Sequence, residues 1–248
     1  MLVLAFDTST IRGSVGWIRL PSPAGPADPA AVESHAEIIA PAEPGHAETL
    51  LDRIDSALAL GRWTLDEVGL LAWCRGPGTF TGLRIGLATA KGLALARGLP
   101  MVGLSSLETL ALCAPAEGVM VPLMDARRGE VWGAVYRRSL VAGVPRVEEL
   151  AAARVLGPDE VPGLAGEAAG GDPVLLLGSG ALRYRERLGG LGAVLPPDAA
   201  VVRPFWMAIA AWGRFEERGA DDPATAEPVY LRAPDARLPD ARRRAGAA

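Results

Sequence analysis

This chain is poor in the residue types that carry metal and nucleophilic chemistry. Its 248 residues include two cysteines (Cys74, Cys113), two histidines (His35, His46) and a single lysine, Lys91. Both cysteines stand in apolar surroundings and read as buried thiols of a reducing compartment, not as a disulfide. The histidines have no cysteine or further histidine beside them, which makes a poor metal site, and neither is matched with a nucleophile. His46 reads as a helix-start or interface residue. Positive charge is not in excess: the formal net charge of −4 argues against an autonomous nucleic-acid binder. Arg237, Arg242, Arg243 and Arg244 form the one basic cluster, in an Ala/Pro-rich end (233–248) expected to be disordered. No apolar run approaches the ~18 residues of a membrane span. Met1–Phe6 is short and lacks a basic start, so no signal peptide and a cytoplasmic protein are expected. Two common phosphate loops are also missing. Leu83 stands where a P-loop would have its lysine, and Gly82 comes one place late for the dinucleotide fingerprint.

What is present is apolar: 50% of the residues, enough for one large domain or two lobes. The most informative stretch is Gly76-Pro77-Gly78-Thr79-Phe80-Thr81-Gly82-Leu83-Arg84-Ile85-Gly86. It follows the apolar run Val68–Trp73, which reads as a buried strand, and leads into Leu87–Ala96, which has helical character. Thr79 or Thr81 is placed to cap that helix, leaving backbone N–H groups for an anion or a closely packed partner. Further strands are expected at Leu2–Phe6, Gly13–Leu20, Val32–Ile39, Met101–Leu104, Val119–Met124, Val147–Val155 and Val174–Leu177. An amphipathic helix is expected over Glu48–Leu60, shorter ones over Leu107–Cys113 and Leu182–Leu188, and a closing one over Phe205–Arg218. A short turn at Thr64–Val68 is capped by Thr64, Pro21–Pro29 is a loop, and a helix cap is expected at Pro158-Asp159.

The sequence also repeats itself. Asp7 to Trp17 and Asp125 to Gly133 each have an apolar strand ending in Asp, an Arg-Gly turn, and a return strand with Val and Trp. Two hairpins of one design imply two lobes of related topology, with the break at Pro115–Gly118. Two such hairpins facing each other outline a candidate nucleotide or phosphate cleft: Asp7, Thr8 and Ser9 in one lobe, Asp125 in the other, with Gly76, Gly78, Gly178 and Gly180 at the strand-to-helix turns. Against this, Asp7 and Asp125 also read simply as strand ends, and Arg127 and Arg128 fill the second hairpin where a compact glycine turn would suit phosphate. Arg84, on the first turn of the glycine-loop helix, is expected to pair with Glu48 or Asp52.

Several strings together resemble the bacterial TsaB family: Asp7-Thr8-Ser9, His46–Leu51, Gly76–Arg84, Ala90–Ala94, Gly103–Glu108 and Tyr230-Leu231-Arg232. The resemblance covers Met1 to about Arg232 and is strongest in the first 130 residues. It implies an α/β, actin-like fold of the sugar kinase/heat-shock class, with a first lobe over 1–104 and a second over 105–232. It also implies a part in placing threonylcarbamoyl on the adenosine beside the anticodon of ANN-decoding tRNAs. The catalytic relative, TsaD, carries a His-x-x-x-His metal motif whose positions here are Ser106 and Leu110. Neither is an adequate ligand, so the expectation is a non-catalytic subunit with no metal and no cofactor of its own, ATP entering only in the assembled complex. Implied partners are a TsaD-like catalytic subunit and a TsaE-like ATPase, with tRNA reached only through the complex and a homodimer in isolation. The expected partner face lies on the first-lobe helices: Leu50, Leu51, Ile54, Leu58, Leu83, Leu87 and Ala90. The alternative is an ATP-binding transferase or kinase of the actin-like class acting alone through Asp7 and Asp125. A peptidase, suggested only by an older glycoprotease-like family name, has no nucleophile–base pair or metal cluster behind it.

Overall fold

The computed structural model describes residues 1–10, 12–21, 28–41, 46–141 and 143–232, with the backbone alone at 46–48. Most of the Pro21–Pro29 loop and the 233–248 tail with its arginines therefore lie outside the described residues. In the first half, β1 (Leu2–Asp7), β2 (Arg12–Arg19) and β3 (Ser34–Pro41) are followed by α1 (His46–Leu60). Next come β4 (Val68–Gly76), α2 (Phe80–Arg97), β5 (Met101–Ser105) and α3 (Ser106–Cys113). The second half runs β6 (Gly118–Arg127), β7 (Glu130–Val141), β8 (Val144–Leu156), α4 (Val161–Ala169), β9 (Val174–Leu177), α5 (Ser179–Arg183), α6 (Arg185–Leu188), β10 (Gly192–Val194) and α7 (Pro204–Arg218).

The strands form two sheets, ordered β3-β2-β1-β4-β5 and β10-β9-β6-β7-β8. Counted within each half, these are one topology. The first three strands form an antiparallel meander, and the fourth and fifth add in parallel on the far side of the first. Parallel addition requires a crossover, and α2 supplies it between β4 and β5. The repeat read from two hairpins thus extends through ten strands, in the two-lobed α/β arrangement of an actin-like fold. The hairpins share their order but not their register: Trp17 lies opposite Leu4, three residues before Asp7, whereas Trp132 lies opposite Met124, one before Asp125, and the two tryptophans join different cores.

Alternation along β1 explains its central place. Leu2, Leu4 and Phe6 face one way, with Trp17, Leu71 and Trp73, onto α1 and α2. Val3 and Ala5 face the other way and join a core that includes Leu107, Leu110 and Ala111 of α3, Met207, Ala208 and Trp212 of α7, and Met120, Met124 and Trp132 of the second sheet. The outer face of the second sheet is closed by Val161, Leu164 and Ala165 of α4. Helix α2 begins at Phe80 with Thr79 at its N-cap, one of the two caps expected, and its first turns pack on the Thr8–Ser9 turn. One feature differs from the sequence reading: α7, placed within the 105–232 lobe, packs on β1, β2 and β5 of the first sheet. The helix start expected at Pro158-Asp159 leads through a short turn, Pro158–Glu160, into α4, whereas β10, three residues long, had no signal.

Candidate functional site

The glycine stretch is built to sit on the end of the first hairpin. Gly76 closes β4 at φ 106°, and Gly178 closes β9, its counterpart in the second sheet, at φ 100°. Both positions need the conformation that only glycine adopts freely. Gly78 is needed for space, since a Cβ there would lie 2.6 Å from both the Cβ and the carbonyl oxygen of Ser9. A Cβ on Gly82 would overlap the Thr8 carbonyl oxygen, and one on Gly86 would meet the Thr8 hydroxyl. Hydrogen bonds fasten the same contact: Thr79 N–H donates to the Ser9 carbonyl at 2.8 Å, and the Thr8 hydroxyl to the Gly82 carbonyl at 2.7 Å. Thr79 occupies the N-cap of α2, although its side chain makes no capping bond. The glycines therefore bring the loop directly onto the backbone of Thr8 and Ser9.

Asp7 is buried beneath this contact. Its Oδ1 accepts the Ser9 N–H at 2.8 Å, while Oδ2 and the Ser9 hydroxyl have no hydrogen-bond partner among the described residues. Burial, the largest influence, pushes its pKa up against the opposing pull of nearby Ser9 and Cys74. Cys74 and Cys113 are both free. Burial raises the Cys74 thiol well above its usual range and takes Cys113 to about 12. Asp125 is different. Its Oδ1 accepts the Arg127 N–H at 3.0 Å, its Oδ2 pairs with Arg183 at 3.2 Å, and it lines a cavity of about 220 Å³ between the hairpins. Ser9, Thr10, Thr79, Arg127, Trp132, Ser179 and Arg183 complete that cavity. Gly178 and Gly180 do not line it, because their backbones lie against Leu123. The two aspartates thus stand in different surroundings: Asp7 is buried below the turn, and Asp125 is paired with arginine at the cavity.

The helix faces also differ from expectation. Leu50, Ile54, Leu58, Leu83 and Ala90 are buried in the chain's own core, and Leu87 is half-buried against it. The apolar stripe of an amphipathic helix must be covered, and here the chain's own first sheet covers it. Of the predicted face only Leu51 stands free, at 50% exposure. The outward side of α2 consists of Arg84, Ala88, Gly92 and Leu95, the last 75% exposed. Of the two carboxylates expected to pair with Arg84, the Glu48 side chain lies outside the described residues; among those described, Arg84 meets an aromatic pair. It lies 3.9 Å over the Phe80 ring and donates from Nε to the Tyr230 hydroxyl at 3.3 Å. No spacing in the sequence signals that contact, which joins residues 146 positions apart.

Ser106 and Leu110 sit one turn apart on α3, both buried. The Ser106 hydroxyl donates to the Pro77 carbonyl at 2.6 Å, and Leu110 is part of the core shared by the sheets. Ser105 caps the helix by accepting the Glu108 N–H. His35 stands exposed on β3 against the Phe205 ring, 4.9 Å between centroids. Among the described residues, no group of three or more His, Cys, Asp or Glu side chains is arranged to hold a metal ion.

Comparison with known proteins agrees with this architecture. Residues 38–168 match the family of tRNA N6-adenosine threonylcarbamoyltransferase, TsaD. The tRNA threonylcarbamoyladenosine biosynthesis protein TsaB of Escherichia coli is 34% identical over 94% of this chain and 95% of its own length. The chain belongs to the TsaB family. The Bacillus subtilis protein of the same name is 30% identical over 55% of the chain and 56% of its own length. The solved structure of YeaZ from Pseudomonas aeruginosa, 27% identical, superposes with a TM-score of 0.75 over 93% of this chain and 99% of that one. The family thus sets the process, tRNA threonylcarbamoyladenosine biosynthesis. Among the described residues, no helix is long and apolar enough to cross a membrane.

Proposed function

We propose that this chain is the non-catalytic subunit that binds and activates a TsaD-type catalytic subunit, which adds threonylcarbamoyl to the adenosine beside the anticodon of ANN-decoding tRNAs. A TsaE-type ATPase joins the complex, and tRNA is reached only through it. The observation that carries this reading is at Ser106 and Leu110. The positions at which the catalytic relative carries its metal-binding histidines are engaged here in a hydrogen bond to Pro77 and in core packing. The burial of Asp7 supports reading the isolated chain as free of nucleotide, with ATP entering only in the complex. The partner surface is the outward side of α1 and α2: Leu51, Ala88, Gly92 and Leu95. Small residues there allow close helix approach, and the same surface closes a homodimer when the catalytic subunit is absent.

Reconstitution tests this directly. tRNA modification by the purified TsaD-type and TsaE-type proteins should require this chain, and the chain alone should give none. Ala88→Glu and Leu95→Glu should abolish co-purification with the catalytic subunit while leaving the thermal melt unchanged. Modification without the chain, or full binding by both variants, overturns the reading. Leu83→Glu and Ile54→Glu do not test the surface, because a charge at either buried site is expected to unfold the chain. Titration of the isolated chain with Mg-ATP should give no binding heat. A micromolar isotherm lost in Asp7→Ala would favour the self-acting enzyme instead.

A further inference from the structure

The segment after α7 crosses from one lobe to the other within four residues. Val229 N–H donates to the Arg75 carbonyl at 2.7 Å, extending the pairing of the first sheet at the end of β4. The Val229 carbonyl lies 3.0 Å from where a Cβ on Gly76 would stand, so the segment presses on the first residue of the glycine loop. Tyr230 stacks on Phe80 at 5.5 Å between centroids and accepts from Arg84, both on the first turns of α2. Arg232 then reaches the second-lobe hairpin, donating to the Ala126 carbonyl at 3.0 Å and pairing with the Glu130 carboxylate. Ala126 and Glu130 flank the Arg127–Gly129 turn, where three consecutive residues have φ of 64°, 56° and 83°. The crossing lies beside the interlobe cavity, to which Thr79, Asp125 and Arg127 contribute.

We propose that Val229–Arg232 is a latch that sets the angle between the lobes by tying the glycine loop and α2 of the first to the hairpin of the second. A deeper core through α3 and α7 also joins the lobes, while the latch residues Val229, Tyr230 and Arg232 are half-buried or exposed and lie outside that core. Its first-lobe half is backbone pairing and stacking, and its second-lobe half is a guanidinium fork on a carbonyl and a carboxylate. Release is therefore expected at the Arg232 end, where both charged side chains are partly exposed and screened by salt. Tyr230 holds Arg84, so movement of the second lobe is transmitted to the outward side of α2. The latch rests on these contacts alone and stands whether or not that side of α2 binds the catalytic subunit.

Spin labels at Ala59→Cys on α1 and Glu167→Cys on α4, in a Cys113→Ser background, read the interlobe distance in the full chain. The parent should give one narrow distance distribution. Arg232→Ala should broaden it and add a second, displaced population, and Glu130→Gln should do the same from the other side. Arg232→Ala combined with Glu130→Gln should add little to either alone. Raising the salt to 1 M should shift the parent toward the variants. Should Arg232→Ala fail to fold, Glu130→Gln decides alone. A parental distribution in folded Glu130→Gln overturns the latch, as does one in folded Arg232→Ala.

Discussion

Gly82→Ala is expected to lower the melting temperature by about 10 °C, from a cost of roughly 3 kcal/mol in a chain of this size. One methyl group has this effect because of what it would meet. The Cβ would overlap the carbonyl oxygen of Thr8, a backbone atom that has no rotamer to escape into. Relief requires α2 to back away from the hairpin, and this breaks the Thr8 hydroxyl bond to the Gly82 carbonyl and the Thr79 bond to Ser9. Backing away would also uncover Asp7, whose burial depends on that contact. The control lies on the same helix. A Cβ on Gly92 meets nothing within 4 Å, so Gly92→Ala removes only the flexibility of an exposed helix interior. It should raise stability by about 1 kcal/mol and the melting temperature by about 2–4 °C. Thermal melts of the two variants check the pair. Equal tolerance at both positions would mean that the loop does not rest on the hairpin as described.

Asp7→Asn is expected to stabilise the protein at neutral pH and to do little in acid. The folded chain raises the pKa of Asp7 by burying it, so it holds the proton more tightly than the unfolded chain does. Stability contributed at this site is therefore complete below the unfolded value near ~3.9. It falls as pH rises from there to the folded value and stays low beyond it. Asparagine removes that dependence. Its oxygen keeps the Ser9 N–H, and its neutral amide carries no charge to be desolvated in the buried site. The variant should be the more stable of the two at pH 7. Urea denaturation of both proteins between pH 3.5 and 8 should give curves that meet at the acid end and separate as pH rises. A less stable Asp7→Asn at pH 7 would mean that Asp7 is ionised when folded and that a charge-stabilising partner occupies Oδ2.

These two sites show where sequence reading reached and where it stopped. The strand, glycine loop and helix were legible because Val68–Trp73 is uniformly apolar and Gly, Pro and Thr interrupt it abruptly. The hairpin repeat was legible because Asp, Arg-Gly and Trp recur in the same order. What the glycines were for was not. A glycine that admits an anion and a glycine that admits a neighbouring backbone are the same letter, and only the proximity of Thr8 and Ser9 distinguishes them. The side chains of Leu50, Ile54 and Leu83 show the same limit. An apolar stripe declares that something covers it, and here the cover is the chain's own first sheet. Tyr230 on Arg84 and Arg232 on Glu130 had no local signal, since each contact spans more than a hundred residues.

The return of α7 to the first sheet has a consequence for how the chain is made. β1 to β5 are complete by Ser105, but the face bearing Val3, Ala5, Val102 and Leu104 is covered in part by Met207, Ala208 and Trp212. On the ribosome the rest of that face, beyond what α3 covers, stays exposed until the whole second sheet has been synthesised. The two halves share an architecture, yet the first cannot mature alone. Equilibrium unfolding should therefore appear as one cooperative transition, and a nascent chain paused near residue 118 should be a better client for chaperones than one paused after Arg218.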